Sequence, residues 1–421
     1  MNQLTAVKLS PTIEKVSFRN MIPEIPSTTY GTFGLYRYPA KFIPQIIAFI
    51  LKEYGYPNIK IIDPFAGSGT TGLVARIYGF DYEVWDLNPM LALLHNAATM
   101  SPQGIDTEEL INQIMSFNKP FIPNWSKISY WYPEKVIPII SNCWGFYHNN
   151  SNEKLKQLIL TPLLKLTRRY SYNDQQRQKL SRSSMAIKKA NKLVEKQDWQ
   201  SFFYKTLLNE IYTANKKFKE YGELQKTKIP KGTVKAGIDA FNESKKLSLN
   251  KNNCWNFLIT SPPYLQAQEY IRNSKMDLFW LGYNENQVRE LSRKELPYGK
   301  VEEIEICSPL YFSYRDKIKE PHLKKMYEQY FHGVLGTLTQ LSNHISDYLF
   351  LFVGSASVRS IPIPIDKIFI EHFENSGWTH EKTYSDSIVS RVLFRSEINP
   401  ANGLKDKRIL TEQLVILRKK Y

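Results

Sequence analysis

Residues 59–78 constrain the fold of this chain more than any other stretch. Ile59 to Ile62 reads as a short buried strand. Asp63-Pro64-Phe65-Ala66-Gly67-Ser68-Gly69-Thr70-Thr71 follows it directly and opens a helical run to Tyr78. Strand, Gly-rich turn and helix form the first unit of a doubly wound α/β sheet, which binds ligands beyond the carboxyl ends of its strands. The glycines let the backbone approach a ligand closely, and Asp63 places a carboxylate at the strand's end. A phosphate-binding P-loop would need a lysine after the second glycine, and none follows Gly69. Gly67, Gly69 and Gly72 do meet the Gly-x-Gly-x-x-Gly spacing of a dinucleotide site, a weak signal by itself. The carboxylate four residues before Gly67 suits a cationic amino group better than a pyrophosphate.

Tyr82 to Asp86 reads as a second strand ending in an acid, followed by Leu87-Asn88-Pro89. Asp86 lies 19 residues after Gly67, in the region where an acidic side chain holds ribose hydroxyls in nucleotide-binding units. Much further on, the apolar run Trp255 to Ile259 reads as a buried parallel strand and stops at Thr260-Ser261-Pro262-Pro263-Tyr264. Two prolines cannot continue a strand, since they donate no N–H and fix φ. The strand edge therefore presents a hydroxyl, carbonyls on a stiff backbone and an aromatic ring. Ser261 and the Pro262 carbonyl can accept N–H hydrogen bonds from a planar amine, while Tyr264 stacks on its ring.

Taken together, residues 63–71 and 260–264 resemble the S-adenosylmethionine-dependent amino-methyltransferases of DNA. The Ser-Pro-Pro-Tyr form is most similar to the cytosine-N4 branch of restriction–modification enzymes, since adenine-N6 enzymes usually carry Asp or Asn at the first place. Residues 38–44, Tyr-Pro-Ala-Lys-Phe-Ile-Pro, resemble the family segment beside the methionine end of the cofactor. The resemblance covers roughly residues 36–100 and 233–419. It implies a Rossmann-like α/β sheet and S-adenosyl-L-methionine as cofactor. Tyr36, Phe42, Asp63, Pro64 and the stretch Phe65, Ala66, Gly67, Ser68, Gly69 and Thr70 would hold the methionine part. Asp86 and Asn88 would lie at the ribose and Asp239 near the adenine amine. Ser261, Pro262, Pro263 and Tyr264 would form the catalytic pocket. Residues 234–240 resemble the third strand and 348–354 a later core strand. Residues 388–394 and 411–419 resemble a closing antiparallel hairpin.

The chain departs from the family between Asp86 and Asp239, where residues 104–231 are too long for a loop and imply a helical insertion. Catalytic-domain segments 1–103 and 232–421 then flank an inserted subdomain. Leu155, Leu158, Ile159, Pro162, Leu163 and Leu166 follow helical spacing, as do Phe203, Leu207, Ile211, Phe218 and Tyr221. Charge separates this segment from the rest. The chain is +16, and residues 152–235 hold 20 Lys and Arg against 7 Asp and Glu. Such a one-sided excess favours contact with phosphates, with Lys165, Arg168, Arg169, Arg177, Lys179, Arg182, Lys188 and Lys189 as candidates. A segment from 282 to 325 lacks a clear core pattern and is the other candidate for target selection.

An exocyclic amine conjugated with its ring is a poor nucleophile, so such a site must localise its lone pair and aim it at the sulfonium methyl. A base in a duplex would have to be flipped out to reach the pocket. Methylation at cytosine carbon 5 would call for a cysteine nucleophile, commonly after proline. None of Cys143, Cys254 and Cys307 follows one. The cysteines also form no Cys-x-x-Cys pair, which argues against a zinc site and fits a reducing cytoplasm. No stretch reads as a membrane span or signal peptide. The expected partners are double-stranded DNA and a cognate restriction endonuclease. Adenine-N6 methylation, RNA or protein methylation, and a non-catalytic nucleic-acid-binding module stand as alternatives.

Overall fold

The computed structural model describes residues 13–39, 41–177, 180–225, 229–247, 255–265, 269–354, 356–359, 361–387 and 411–420. Among the described residues ten strands occur in chain order: β1 (Ile13–Val16), β2 (Lys60–Asp63), β3 (Asp81–Asp86), β4 (Gly232–Ala236), β5 (Trp255–Thr260), β6 (Ile345–Gly354), β7 (Ala356–Val358), β8 (Ile361–Ile363), β9 (Trp378–Ser387) and β10 (Thr411–Lys419). All but β7 and β8, which pair with each other, form one sheet in the order β1-β9-β10-β6-β5-β2-β3-β4. Strands β2 to β6 run parallel, and β10 is antiparallel to both of its neighbours. From β2 the chain proceeds outward to β3 and β4, then returns across to β5 and β6 on the other side. The reversal lies between β2 and β5, where open α/β sheets leave a crevice for a ligand.

Side chains alternate across this sheet with the period of two that a pleat imposes. Ile61, Phe257, Ile259, Phe350 and Ile416 point to one apolar core, while Ile62, Leu258, Leu349, Leu351 and Leu417 point to the other. The first face is covered by helices Pro44–Glu53, Thr70–Tyr78 and Met90–Ala98, and the second by Ala240–Leu247, Pro321–Ser342 and Ile365–Glu374. Burial on both faces explains why β5 and β6 read as continuous apolar runs.

The helical spacings in the 104–231 segment are realised in helices Glu153–Arg169, which contains Pro162, and Trp199–Leu224. Phe203, Leu207, Ile211, Phe218 and Tyr221 are all 0–1% exposed and belong to the same core as the first face of the sheet. Tyr221 also donates its hydroxyl to the Leu73 carbonyl at 2.8 Å. This segment therefore packs directly on the sheet's helical layer.

The closing hairpin is offset from its sequence expectation. Its first strand is β9, upstream of residues 388–394, which lie outside the described residues. Strand β9 buries Thr383, Tyr384, Ser385 and Asp386, so the apolar alternation that marks a strand is hidden in it. Among the described residues, no helix is long and apolar enough to cross a membrane.

Candidate active site

The carboxyl ends of β2 and β5 meet at Asp63 and Thr260. Thr260 Oγ1 donates to Asp63 Oδ1 at 2.6 Å, the Phe65 amide donates to the same oxygen at 3.0 Å, and Thr71 Oγ1 donates to Oδ2 at 2.5 Å. One carboxylate thus ties two strand ends to the start of the following helix. Burial pushes the Asp63 carboxyl up to about 6, against the opposing pull of Thr260, Thr71 and the Phe65 amide. At 1% exposure, Asp63 is committed to the fold and does not line the cavity beside it. Sequence reasoning assigned it to the ligand, because the local pattern does not reveal that Thr260, 197 residues away, shares its oxygen.

The Gly-rich turn forms the floor. Gly67 has φ +57, and a Cβ there would come within 3.0 Å of the Tyr38 ring. Gly69, at φ +83, caps the helix Thr70–Tyr78. The Ala66 amide donates to the Trp85 carbonyl at 2.9 Å, and the Gly67 amide donates to Asp86 Oδ2 at 2.7 Å. Asp86 Oδ1 accepts from the Asn88 amide at 2.7 Å, so this acid braces the turn from the end of β3. Burial pushes its carboxyl up to about 7, aided by the nearby charge of Asp63. Asn88, 1% exposed, donates to Ser274 Oγ at 2.8 Å. Asp239 lies at the start of the helix Ala240–Leu247 and accepts from the amides of Phe241 and Asn242 at 3.0 and 3.3 Å.

One cavity gathers much of the expected set. Phe42, Pro64, Phe65, Ala66, Gly67, Ser68, Asp86, Asn88 and Asp239 line it together with Ser261 and Pro263. Gly69, Thr70 and Pro262 are not among its lining residues. Tyr36 and Tyr264 are not among them either, although Tyr264 adjoins Pro263, which is. The Tyr36 hydroxyl bonds to Asp277 and accepts from Arg168 Nη2, the latter at 3.1 Å. The Tyr264 ring lies against Gly354 at the end of β6, and its hydroxyl donates to Glu412 of β10 at 2.5 Å.

The structure adds wall residues that sequence reasoning missed, chiefly Tyr38, Lys41, Tyr270 and Glu295. Tyr38 and Lys41 fall within the 38–44 segment, which was the available signal. Glu295 lies in the unpatterned 282–325 stretch and had none. It is 6% exposed, its Oε1 accepts from the Ile271 amide at 3.2 Å, and burial pushes it up to about 7. Lys41 Nζ donates to the Phe33 carbonyl, and burial with the nearby Lys217 lowers it to about 7. The cavity is thus bordered by carboxyls that burial holds partly protonated, an electrostatic setting that a cationic ligand relieves.

The expected phosphate contacts are dispersed. Arg168 is a correction. Its guanidinium bonds both oxygens of the fully buried Asp277 at 2.6–3.0 Å and the Asn273 carbonyl at 2.7 Å, which leaves it no face for DNA. Lys165 pairs with Glu210 at 2.9 Å. Arg169 lies over the Phe202 ring, and Arg182 lies between Tyr130 and Tyr172. Arg177, Lys188 and Lys189 are exposed, and Lys179 falls outside the described residues.

Comparison with known proteins is consistent along most of the chain. Type II methyltransferase M.MvaI of Kocuria varians is 24% identical over 426 residues, covering 91% of this chain and 90% of that protein. Type II methyltransferase M.AvaI of Nostoc sp. is 21% identical over 82% of this chain and 79% of its own length. M.BsoBI of Geobacillus stearothermophilus is 25% identical, over 62% of this chain and 54% of its own length. No family model matches the chain, and no solved structure is significantly similar to it. The chain is similar, over about nine-tenths of its length, to a Type II methyltransferase.

Proposed function

We propose that this protein is a DNA methyltransferase of a restriction–modification pair. It uses S-adenosylmethionine and takes the exocyclic N4 amine of a flipped-out cytosine as acceptor. The observation that carries this reading is that Ser261 and Pro263 line the same cavity as Gly67 and Asp86. A nucleotide-binding turn and an amine-accepting strand end therefore face one another. The parallel order β4-β3-β2-β5-β6, with its reversal between β2 and β5, supports a Rossmann-like sheet. The similarity to Type II methyltransferases supports the reaction class.

When bound, S-adenosylmethionine supplies an electrophilic methyl group on a sulfonium. The residues present fit such a cation, since Asp86 and Glu295 face the cavity with carboxyls that positive charge would help to ionise. Backbone from Ala66 to Ser68 approaches the ligand across Gly67, where only a residue without Cβ clears Tyr38. Asp86 would accept from the ribose hydroxyls, and Asp239 would lie near the adenine amine. Asp63 shapes the turn through its threonines. On the acceptor side, Ser261 Oγ and the Pro262 carbonyl take hydrogen bonds from the amine. They draw its nitrogen toward tetrahedral geometry and aim it along the line of displacement. Tyr264 follows the lining residue Pro263 and borders the acceptor side from beside Gly354, where its ring would stack on the flipped base while its hydroxyl stays anchored on Glu412. Arg177, Lys188 and Lys189 supply outlying phosphate contacts.

The deciding experiment is methylation of plasmid DNA with labelled S-adenosylmethionine, followed by mass spectrometry of the digested product. N4-methylcytosine is the expected product. N6-methyladenine alone would move the acceptor to adenine, and absence of label in DNA would overturn the assignment. Tyr264→Ala should cut turnover at least tenfold while calorimetry shows cofactor binding retained.

A further inference from the structure

Beyond the cavity lies a second cleft, of about 810 Å³, which shares Glu295 with it as a common wall. Its lining combines two kinds of side chain. Trp131, Tyr130 and Tyr298 are aromatic, and Tyr130 and Tyr298 are 51% and 47% exposed. Lys127, Arg272 and Lys275 are basic. The aromatic side is stiff. Trp125 stacks on Phe279 at 4.6 Å and on Trp131 at 6.1 Å, so Trp131 is backed by a buried ring. The basic side is crowded. Burial lowers Lys275, and the charges of Lys127, Arg272 and Arg289 push it further the same way, with Glu285 opposing. Glu269 also lines the cleft and pairs with Arg272 at 2.7 Å, so Lys127 and Lys275 are the cations that chiefly favour a polyanion here.

We propose that this cleft seats the DNA strand that carries the target base, with phosphates on Lys127 and Lys275 beside the Arg272–Glu269 pair and neighbouring bases against Trp131, Tyr130 and Tyr298. Sequence-tolerant stacking combined with basic contacts is the chemistry that holds a locally unpaired strand. The shared wall at Glu295 puts the cleft beside the cavity that Ser261 lines, where a base leaving the duplex has to arrive. The basic run of the insertion adjoins it as well, through Leu180 in the lining and through Arg182, stacked at 4.4 Å on Tyr130. Charge density in the sequence pointed to residues 165–192, whereas the geometry moves the centre of contact to 125–131, 272–275 and 298. This assignment rests on the reading that the substrate is DNA.

The test uses the full chain and a duplex oligonucleotide carrying the sequence that the wild-type protein methylates. Fluorescence anisotropy is measured across a salt series, with S-adenosylmethionine calorimetry as the check on folding. Lys127→Ala combined with Lys275→Ala should weaken duplex binding at least tenfold and flatten the slope of log affinity against log salt by about 1.8, two contacts' worth. Tyr298→Ala should weaken binding about tenfold with the slope unchanged, because stacking releases no counterions. Lys127→Glu, at an exposed position, is the second charge variant should the double one fail to bind cofactor. Wild-type affinity and slope in variants that bind cofactor normally would overturn the cleft assignment alone. A wild-type protein that binds cofactor but neither binds nor methylates duplex DNA would overturn the functional reading as well.

Discussion

Thr71, Thr260 and the Phe65 amide all donate to the buried Asp63 carboxylate, so its variants separate architecture from ligand contact. Asp63→Ala strands these donors and should cost about 3 kcal/mol or more, at roughly 1 kcal/mol per hydrogen bond lost. Asp63→Asn keeps an acceptor for Thr260 and the Phe65 amide and offers an N–H to Thr71, so it should fold close to wild type. Urea unfolding of both variants, with cofactor calorimetry, checks this. The same group sets a pH dependence. Its folded value of about 6 lies above the ordinary 3.8, so the folded state holds the proton more tightly. The Asp63 contribution to stability therefore falls as pH rises from about 4 through about 6, by up to about 3 kcal/mol. Asp63→Asn should flatten that part of the stability profile. Under the proposed function Asp86 acts on the ligand instead. With its carboxyl near 7, cofactor affinity should weaken as pH drops from 8 to 6, because the carboxylate that accepts hydroxyl hydrogen bonds is being protonated. Asp86→Asn should bind more weakly and lose Asp86's share of that pH dependence, with Glu295, also pushed up to about 7, accounting for what remains, read by calorimetry.

Strand β10 reaches the site at the scale of the element. It carries Glu412, which accepts from Tyr264, and it lies beside β6, whose terminal Gly354 leaves room for the Tyr264 ring. A Cβ on Gly354 would stand 2.8 Å from that ring. Gly354→Val should therefore displace Tyr264 and lower turnover while leaving cofactor affinity intact. Tyr264→Phe keeps the stacking face and should lose less activity than Tyr264→Ala, whose penalty reflects stacking worth about 1–3 kcal/mol per base. Steady-state methylation of one duplex by the three variants orders these effects. The hairpin itself was legible only in its second strand. Thr411 to Lys419 carries apolar residues from Leu414 to Leu417, whereas β9 buries Thr383, Ser385 and Asp386, and its polar sequence reads as a loop. The short parallel strands β2, β3 and β5 were legible because each ends at a fixed chemical punctuation: a Gly-rich turn, an Asp three residues before a Pro, or Pro-Pro.

Across the whole molecule, Arg168 joins the helix Glu153–Arg169 of the long segment to the helix Tyr270–Trp280 and to Tyr36. Its charge serves assembly. Removing one member of a buried ion pair costs about 3–5 kcal/mol, because the other charge is left unpaired. Arg168→Ala should thus lower the thermal midpoint by several degrees, measured by scanning calorimetry. The salt slope of DNA binding by the folded fraction should stay at the wild-type value. Lys188→Ala with Lys189→Ala should do the reverse, leaving the midpoint in place and flattening the slope by up to about 1.8.

The sequence by itself determined the strand–turn–helix at residues 59–78, the acid at the end of β3 and the proline-stopped strand end at 260–264. These are local matters, since a turn at positive φ, a proline stop and a two-residue alternation are written in neighbouring positions. Tertiary structure decided which of those groups reach the cavity. It committed Asp63 to Thr260, turned Arg168 inward to Asp277 across 109 positions, and brought Glu295 from an unpatterned stretch to the wall between two clefts. The physical reason is that exposure and pairing belong to contacts between distant elements, and a carboxylate or guanidinium has the same local pattern whether it meets solvent or a buried partner.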